Sequence, residues 1–122
     1  MSKNKFNVGG TEGRSLDGRV FDSAAERDRY AELSMLERAG KIARLELQPR
    51  FEIIPKTVKG TRAHHYTADF RYVENGVCVI EDVKGVKTKD YILRRDIFIR
   101  DYVRAGTIFR EYAKGVTKEF MA

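Results

Sequence analysis

The chain has 122 residues, 42% of them apolar and 34% charged, which is the size of one domain, with enough apolar material for a core and too much for wholesale disorder. Its 24 Lys and Arg exceed its 18 Asp and Glu, giving a net charge of +6; a small basic protein points to an anionic partner, nucleic acid first, or simply to a soluble basic domain. There is no apolar run long enough to span a membrane, the start MSKNKFNVGG has no signal-peptide core, and the single Cys78 permits neither an internal disulfide nor a Cys-rich zinc site, so a cytoplasmic protein without a membrane partner is expected.

Residues 1 to about 14 are polar and Gly-rich, with Lys3, Lys5 and Arg14, and read as a flexible basic arm; residues 15–122 read as a single domain. Asp17-Gly18, between Leu16 and Val20, predicts a small hairpin. A helix follows. Ser23 is its N-cap, Glu26 completes a capping box, and Gly40 stops it after about Ala39. LELQPRFEII, with Leu45, Leu47, Phe51, Ile53 and Ile54, predicts a strand in which Pro49 marks an edge or bulge. Pro55 to His64 is a basic loop holding Lys56, Lys59 and Arg62. Tyr66 to Val73 and Val77 to Lys84 predict two strands joined by an Asn75-Gly76 turn. Thr88 caps a second helix over about Lys89 to Arg104, and Thr107 to Tyr112 predict a last strand. The order helix, three strands, helix, strand implies an α/β or α+β domain: a small mixed sheet flanked by helices.

The chemistry concentrates in residues 66–85, YTADFRYVENGVCVIEDVKG. Asp82 and Lys84 are two apart, so on a strand they emerge from one face, with Cys78 and Ile80 behind them. Val77, Val79, Glu81 and Val83 take the other face. A strand apolar on both faces is an interior strand, and charges at its end must be solvated, paired or bound to metal. Pairing across the Asn-Gly turn brings the Asp69 segment beside Asp82. Two carboxylates with open water positions suit Mg²⁺ or Mn²⁺, and a lysine alongside can stabilise a phosphate or help deprotonate water. The structural alternative is an Asp82–Lys84 ion pair. Glu81 faces away from Asp82 and reads as structural or solvated.

This spacing resembles the PD-(D/E)XK nuclease superfamily, in which an acid on one strand is followed on the next by acid, any residue, lysine. Asp69 and Asp82-Val83-Lys84 match, although Ala68 stands where the motif's name has proline. More of the chain is similar to one branch, phage- and prophage-associated small endonucleases related to Holliday-junction resolvases. The similar blocks are FDSAAERDRYAELSMLERAG, LELQPRFEIIP, YTADFRYVENG and VIEDVKGVKT with Tyr91 following, spanning roughly Asp17 to Arg95. The resemblance implies a restriction-endonuclease-like core, helix-strand-strand-strand-helix-strand. It implies a Mg²⁺- or Mn²⁺-dependent DNA endonuclease for branched or recombination-intermediate DNA, in the host cytoplasm if phage-encoded. Glu26, Asp69, Asp82 and Lys84 match its active-site positions, with the Val83 carbonyl helping Asp69 and Asp82 to hold the metal and Glu26 a further ligand or water-orienting group. Gln48 is close to the site in that family, and otherwise a polar strand end. The alternative function is a non-catalytic basic DNA-binding protein of a phage replication, recombination or packaging assembly.

Glu26 lies about 20° from Leu33 around the helix, so it falls in the apolar stripe and faces the sheet. Capping and site roles can coexist there. The loop residues Lys56, Lys59, Arg62, His64 and His65, and Lys87, Lys89, Arg94 and Arg95 after Lys84, are candidate DNA-backbone contacts. Adjacent histidines on a strand point to opposite faces and do not share one metal; a local acid–base role is their alternative. Tyr91, Phe98 and Tyr102 form a stripe on the second helix. Arg95 lies among them, either reaching towards the site or snorkelling to the surface. Symmetric cutting of a four-way junction would imply a homodimer.

Overall fold

The computed structural model describes residues 12–113 and 115–122. Most of the basic arm expected over residues 1–14 lies outside these; its last residues, Glu12–Arg14, form a 3-10 turn. Strands β1 (Ser15–Leu16) and β2 (Arg19–Val20) make the expected hairpin, with Asp17 and Gly18 at φ 55° and 75° as a primed two-residue turn requires.

Helix α1 spans Ala24–Arg38. The Ser23 hydroxyl oxygen accepts from the Glu26 N–H at 3.0 Å, and Gly40 leaves the helix at φ 77°. Among the described residues the return bond of the capping box, from the Ser23 N–H to the Glu26 carboxylate, is not made. Glu26 and Leu33 are the buried pair of α1, as the angle between them requires.

The segment expected to be one strand is two: β3 (Ala43–Leu47) and β4 (Arg50–Ile54). The facing segment breaks at the matching place, into β5 (His64–Thr67) and β6 (Phe70–Glu74). Gln48 sits at φ 53° and Pro49 has no N–H to give, so the ribbon bends there without losing its pairing. The Gln48 N–H donates to the Asp69 carbonyl at 2.9 Å, and the Ala68 N–H to the Pro49 carbonyl at 3.0 Å. Asp69 therefore stands at the bend, not inside a strand.

Strand β7 (Val77–Val83) follows the Asn75-Gly76 turn, helix α2 (Lys89–Tyr102) follows the Thr88 cap, and β8 (Thr107–Ala113) returns parallel to β7. Strand β9 (Val116–Met121), beyond the last strand expected from the sequence, pairs antiparallel with β8. The result is an α+β domain with a mixed sheet in the order β3-β6-β7-β8-β9. The helices cover opposite faces: Leu33 packs with Phe70, Tyr72 and Val79, whereas Phe98 packs with Tyr66, Ile80 and Phe109. Val79 and Ile80 thus serve different cores, the interior-strand behaviour expected of β7. Among the described residues no helix is long and apolar enough to cross a membrane.

Candidate active site

The bend and the end of β7 bring Asp69 and Asp82 together. The Asp69 N–H donates to the Glu81 carbonyl at 3.1 Å, which docks the bend on β7. The Asp69 side chain then accepts the Val83 N–H on Oδ2 at 2.7 Å. The Val83 N–H thus orients Asp69. Asp82 is 1% exposed. Its Oδ2 accepts from the Tyr66 hydroxyl, while Oδ1 is buried and has no hydrogen-bond partner among the described residues. A buried carboxylate oxygen without a donor is costly and rare in a group that serves only stability.

The electrostatics follow from this crowding. Burial first, then the charge of Asp69, holds the Asp82 carboxyl well above the usual range; Lys84 and Tyr66 pull it down less. Burial also raises Asp69, against the Val83 N–H, Asp82 and Lys84. Glu26, on the first turn of α1, is 3% exposed. Burial, then Asp69 and Asp22, push its carboxyl up to about 7. The Lys84 ammonium draws all three carboxyls down and lies 4.4 Å from the centre of the Tyr91 ring. Among the described residues it makes no direct ion pair with Asp82, so the simple Asp82–Lys84 salt bridge does not form. Beside it, a cleft of about 300 Å³ runs between α1 and β7, lined by Arg29, Val83, Lys84 and Tyr112.

Among the described residues no three His, Cys, Asp or Glu side chains are gathered closely enough to enclose a metal ion. Asp69 and Asp82 form a pair, with Glu26 beside them. Such a pair could hold only a small hard cation that keeps several waters and needs one or two carboxylates, with the unpartnered Asp82 oxygen as the atom that would meet it. Gln48 is linked through its backbone bond to Asp69, with its side chain exposed.

These raised carboxyls make stability depend on pH. Folding raises each pKa, so between about pH 4.5 and about 7 the folded chain binds more protons than the unfolded one, and stability falls as pH rises through that window. Glu26→Gln removes its share, roughly 2–3 kcal/mol near pH 8. In metal-free buffer the variant should melt above the wild type near pH 8 and level with it near pH 5. A difference that does not change with pH would contradict the burial of that charge.

Two buried acids, Glu81 and Glu111, gather donors that sequence reasoning did not assign to them. Glu81 is fully buried and receives the Arg29 guanidinium at 2.6 and 3.0 Å and the Tyr72 hydroxyl at 2.6 Å, so of its two expected roles the structural one holds. Glu111 is buried beside Asp82 in the β7–β8 register. It takes the Tyr91 hydroxyl at 2.6 Å, Arg95 at 3.0 Å and Lys87 at 2.9 Å. Burial raises its carboxyl, but these donors outweigh it and hold it below the usual range. The signal was present: Glu111 shares strand parity with Phe109, where an inward position calls for an apolar residue.

The basic candidates divide. Lys87 and Arg95 are bound to Glu111, and Arg94 reaches Asp90 and the His65 carbonyl, each at 3.0 Å. His65 meets Arg50 at 3.1 Å, and His64 is exposed on β5. Lys56, Lys59, Arg62 and Lys89 are exposed and, among the described residues, have no ion pair.

Residues 9–113 match a family model described as "Protein of unknown function (DUF1064)". No curated protein matches the chain.

Proposed function

The chain belongs to the DUF1064 family, a family of unknown function, and from its own site we propose that it is a metal-dependent DNA endonuclease of the PD-(D/E)XK kind, acting on branched or recombination-intermediate DNA. The observation that carries this reading is the Asp82 Oδ1 atom: a buried, unpartnered carboxylate oxygen beside a second desolvated carboxylate, with the Lys84 ammonium near enough to draw both carboxyls down. A protein that only bound DNA would gain nothing from acids facing phosphates.

Asp69, held by the Val83 N–H, and Asp82, held by Tyr66, are the residues that would bind Mg²⁺ or Mn²⁺. A bound cation supplies charge neutralisation and Lewis-acid polarisation of the phosphodiester. Glu26, whose carboxyl sits near 7, orients the attacking water and accepts its proton. The Lys84 ammonium stabilises the charge that develops on the scissile phosphate. Lys56, Lys59, Arg62 and Lys89 take the flanking backbone phosphates, giving affinity that falls steeply with salt. Two symmetric cuts in a four-way junction would need a homodimer.

The test is cleavage of a panel of linear, flapped and four-way-junction DNAs with Mg²⁺ or with a chelator. Strand scission that requires the cation is expected, greatest on branched substrates. Lys84→Met keeps most of the stem volume and removes the charge. It should bind DNA and melt near the wild type, yet cut at least roughly 10²-fold more slowly, the scale for loss of one positioned electrostatic group. Unchanged single-turnover cleavage by the folded variant would remove Lys84 from the mechanism. Absence of scission on every substrate would overturn the endonuclease reading.

A further inference from the structure

We infer that Tyr66 is a positioning residue of the carboxylate site: its hydroxyl fixes Asp82 so that the second oxygen of that carboxylate faces a divalent cation. The inference rests on the metal-binding reading above and names a group outside the acid and lysine set.

A carboxylate on a short side chain still rotates about two bonds. Holding one oxygen with a donor fixes the other only if the donor cannot move. Tyr66 meets that condition. It is 3% exposed, on β5 just before the bend that carries Asp69. Its ring centre lies 4.9 Å from that of Phe98, 6.1 Å from Phe109 and 6.3 Å from Tyr91, so α2 and β8 wall it in. Tyr91 is itself tied by its hydroxyl to Glu111, and Glu111 is clamped by Lys87 and Arg95. The support therefore runs from the exposed Lys87 through the buried acid and two phenols to Asp82. Among the described residues, no backbone N–H and no other hydroxyl donates to the Asp82 carboxylate; Tyr66 does so on Oδ2, the Asp69 carboxyl lies close enough to share a proton with Asp82, and Oδ1 is buried without a donor.

A donor bonded to a metal ligand sets that ligand's orientation, and its loss costs roughly 10- to 100-fold in metal affinity. A side chain present only for packing has no such effect when its shape is kept. Tyr66→Phe retains the ring and deletes the bond, so it separates the two roles.

Mn²⁺ alone is titrated into the full chain, and free Mn²⁺ is read by electron paramagnetic resonance for the wild type, Asp82→Asn and Tyr66→Phe. Wild-type binding, loss of binding in Asp82→Asn and a roughly 10- to 100-fold weaker Tyr66→Phe are expected. The stabilisation of Tyr66→Phe by Mn²⁺ in thermal melts should shrink to match. Wild-type affinity in Tyr66→Phe, with binding lost in Asp82→Asn, overturns the role of Tyr66 and leaves the metal site intact. No Mn²⁺ binding by the wild type overturns the metal reading and this inference with it. A second measurement needs no variant: on addition of Mg²⁺ to the wild type, the ¹³Cζ resonance of Tyr66 should move while that of Tyr102 stays. A stationary Tyr66 resonance in the Mg²⁺-bound protein also overturns the inference.

Discussion

Asp82→Asn is expected to reduce cleavage by at least roughly 10³-fold, at the upper end of what removal of one group acting directly at a reacting centre costs, while leaving the fold and DNA affinity in place. Asparagine has the same shape. Its carbonyl oxygen can accept the Tyr66 hydroxyl as Asp82 Oδ2 does, which turns the amide nitrogen towards the position of the open Oδ1. The site then presents N–H donors to a cation. DNA binding should hold or tighten, because a negative charge near phosphate is removed. In metal-free buffer near neutral pH the variant should also be more stable than the wild type: Asp82 titrates above its usual range because of burial and Asp69, so its charged form is a liability that folding must carry. Single-turnover cleavage, a salt-dependent binding titration and a thermal melt on one preparation test all three. Cleavage within a few-fold of the wild type would remove Asp82 from the site. Equal metal-free stability would mean that its charge is not buried as described.

The largest expected effect on stability lies elsewhere, at Arg29. Its guanidinium grips both oxygens of the fully buried Glu81 and lies 4.5 Å from the centre of the Tyr112 ring. Arg29→Met strands the Glu81 charge inside the protein with only the Tyr72 hydroxyl for company, a loss of about 3–5 kcal/mol. For a domain of this length, that corresponds to a fall in melting temperature of more than about 10 °C. Adding Glu81→Met to the same chain removes the stranded charge and should restore most of the loss, since an ion pair replaced by apolar groups of similar volume is often neutral. The double-mutant cycle therefore shows strong coupling between positions 29 and 81. A small loss in Arg29→Met, or simple additivity in the cycle, would contradict a buried pair. The pair also ties α1 to β7 one turn beyond Glu26, so the site loosens with it.

Much of the local order was legible in the chain because it is written at short range. Asp17-Gly18 and Asn75-Gly76 make their turns because those residues accept positive φ. Ser23 and Thr88 cap their helices because a short hydroxyl can accept a backbone N–H. The inward aim of Glu26 follows from its angle to Leu33, and the shared face of Asp82 and Lys84 from strand parity. Periodicity gives the side a residue takes; it was the resemblance to the PD-(D/E)XK nucleases that joined Glu26, Asp69, Asp82 and Lys84 as a set.

Parity says nothing about which partner waits on that side. The break at Gln48-Pro49 was foreshadowed by the proline, but the matching break at Ala68-Asp69 was not. A strand bends where its neighbour bends, and that requires the register between them. Lys87 and Arg95 look alike in sequence to Lys56 and Lys59, yet two of these charges are committed to Glu111 and two face solvent. The difference is made by β8 lying parallel to β7, which sets Glu111 beside Asp82. Likewise Glu81 finds Arg29 across 52 residues of chain, and Tyr66 finds Asp82 across the hairpin. A buried charge must be paired or must shift its protonation; helix angle turned Glu26 inward and strand parity set Asp82 beside Ile80, whereas the burial of Glu81 and Glu111, the partner each charge finds and the oxygen of Asp82 left without a donor all follow from the packing of distant segments.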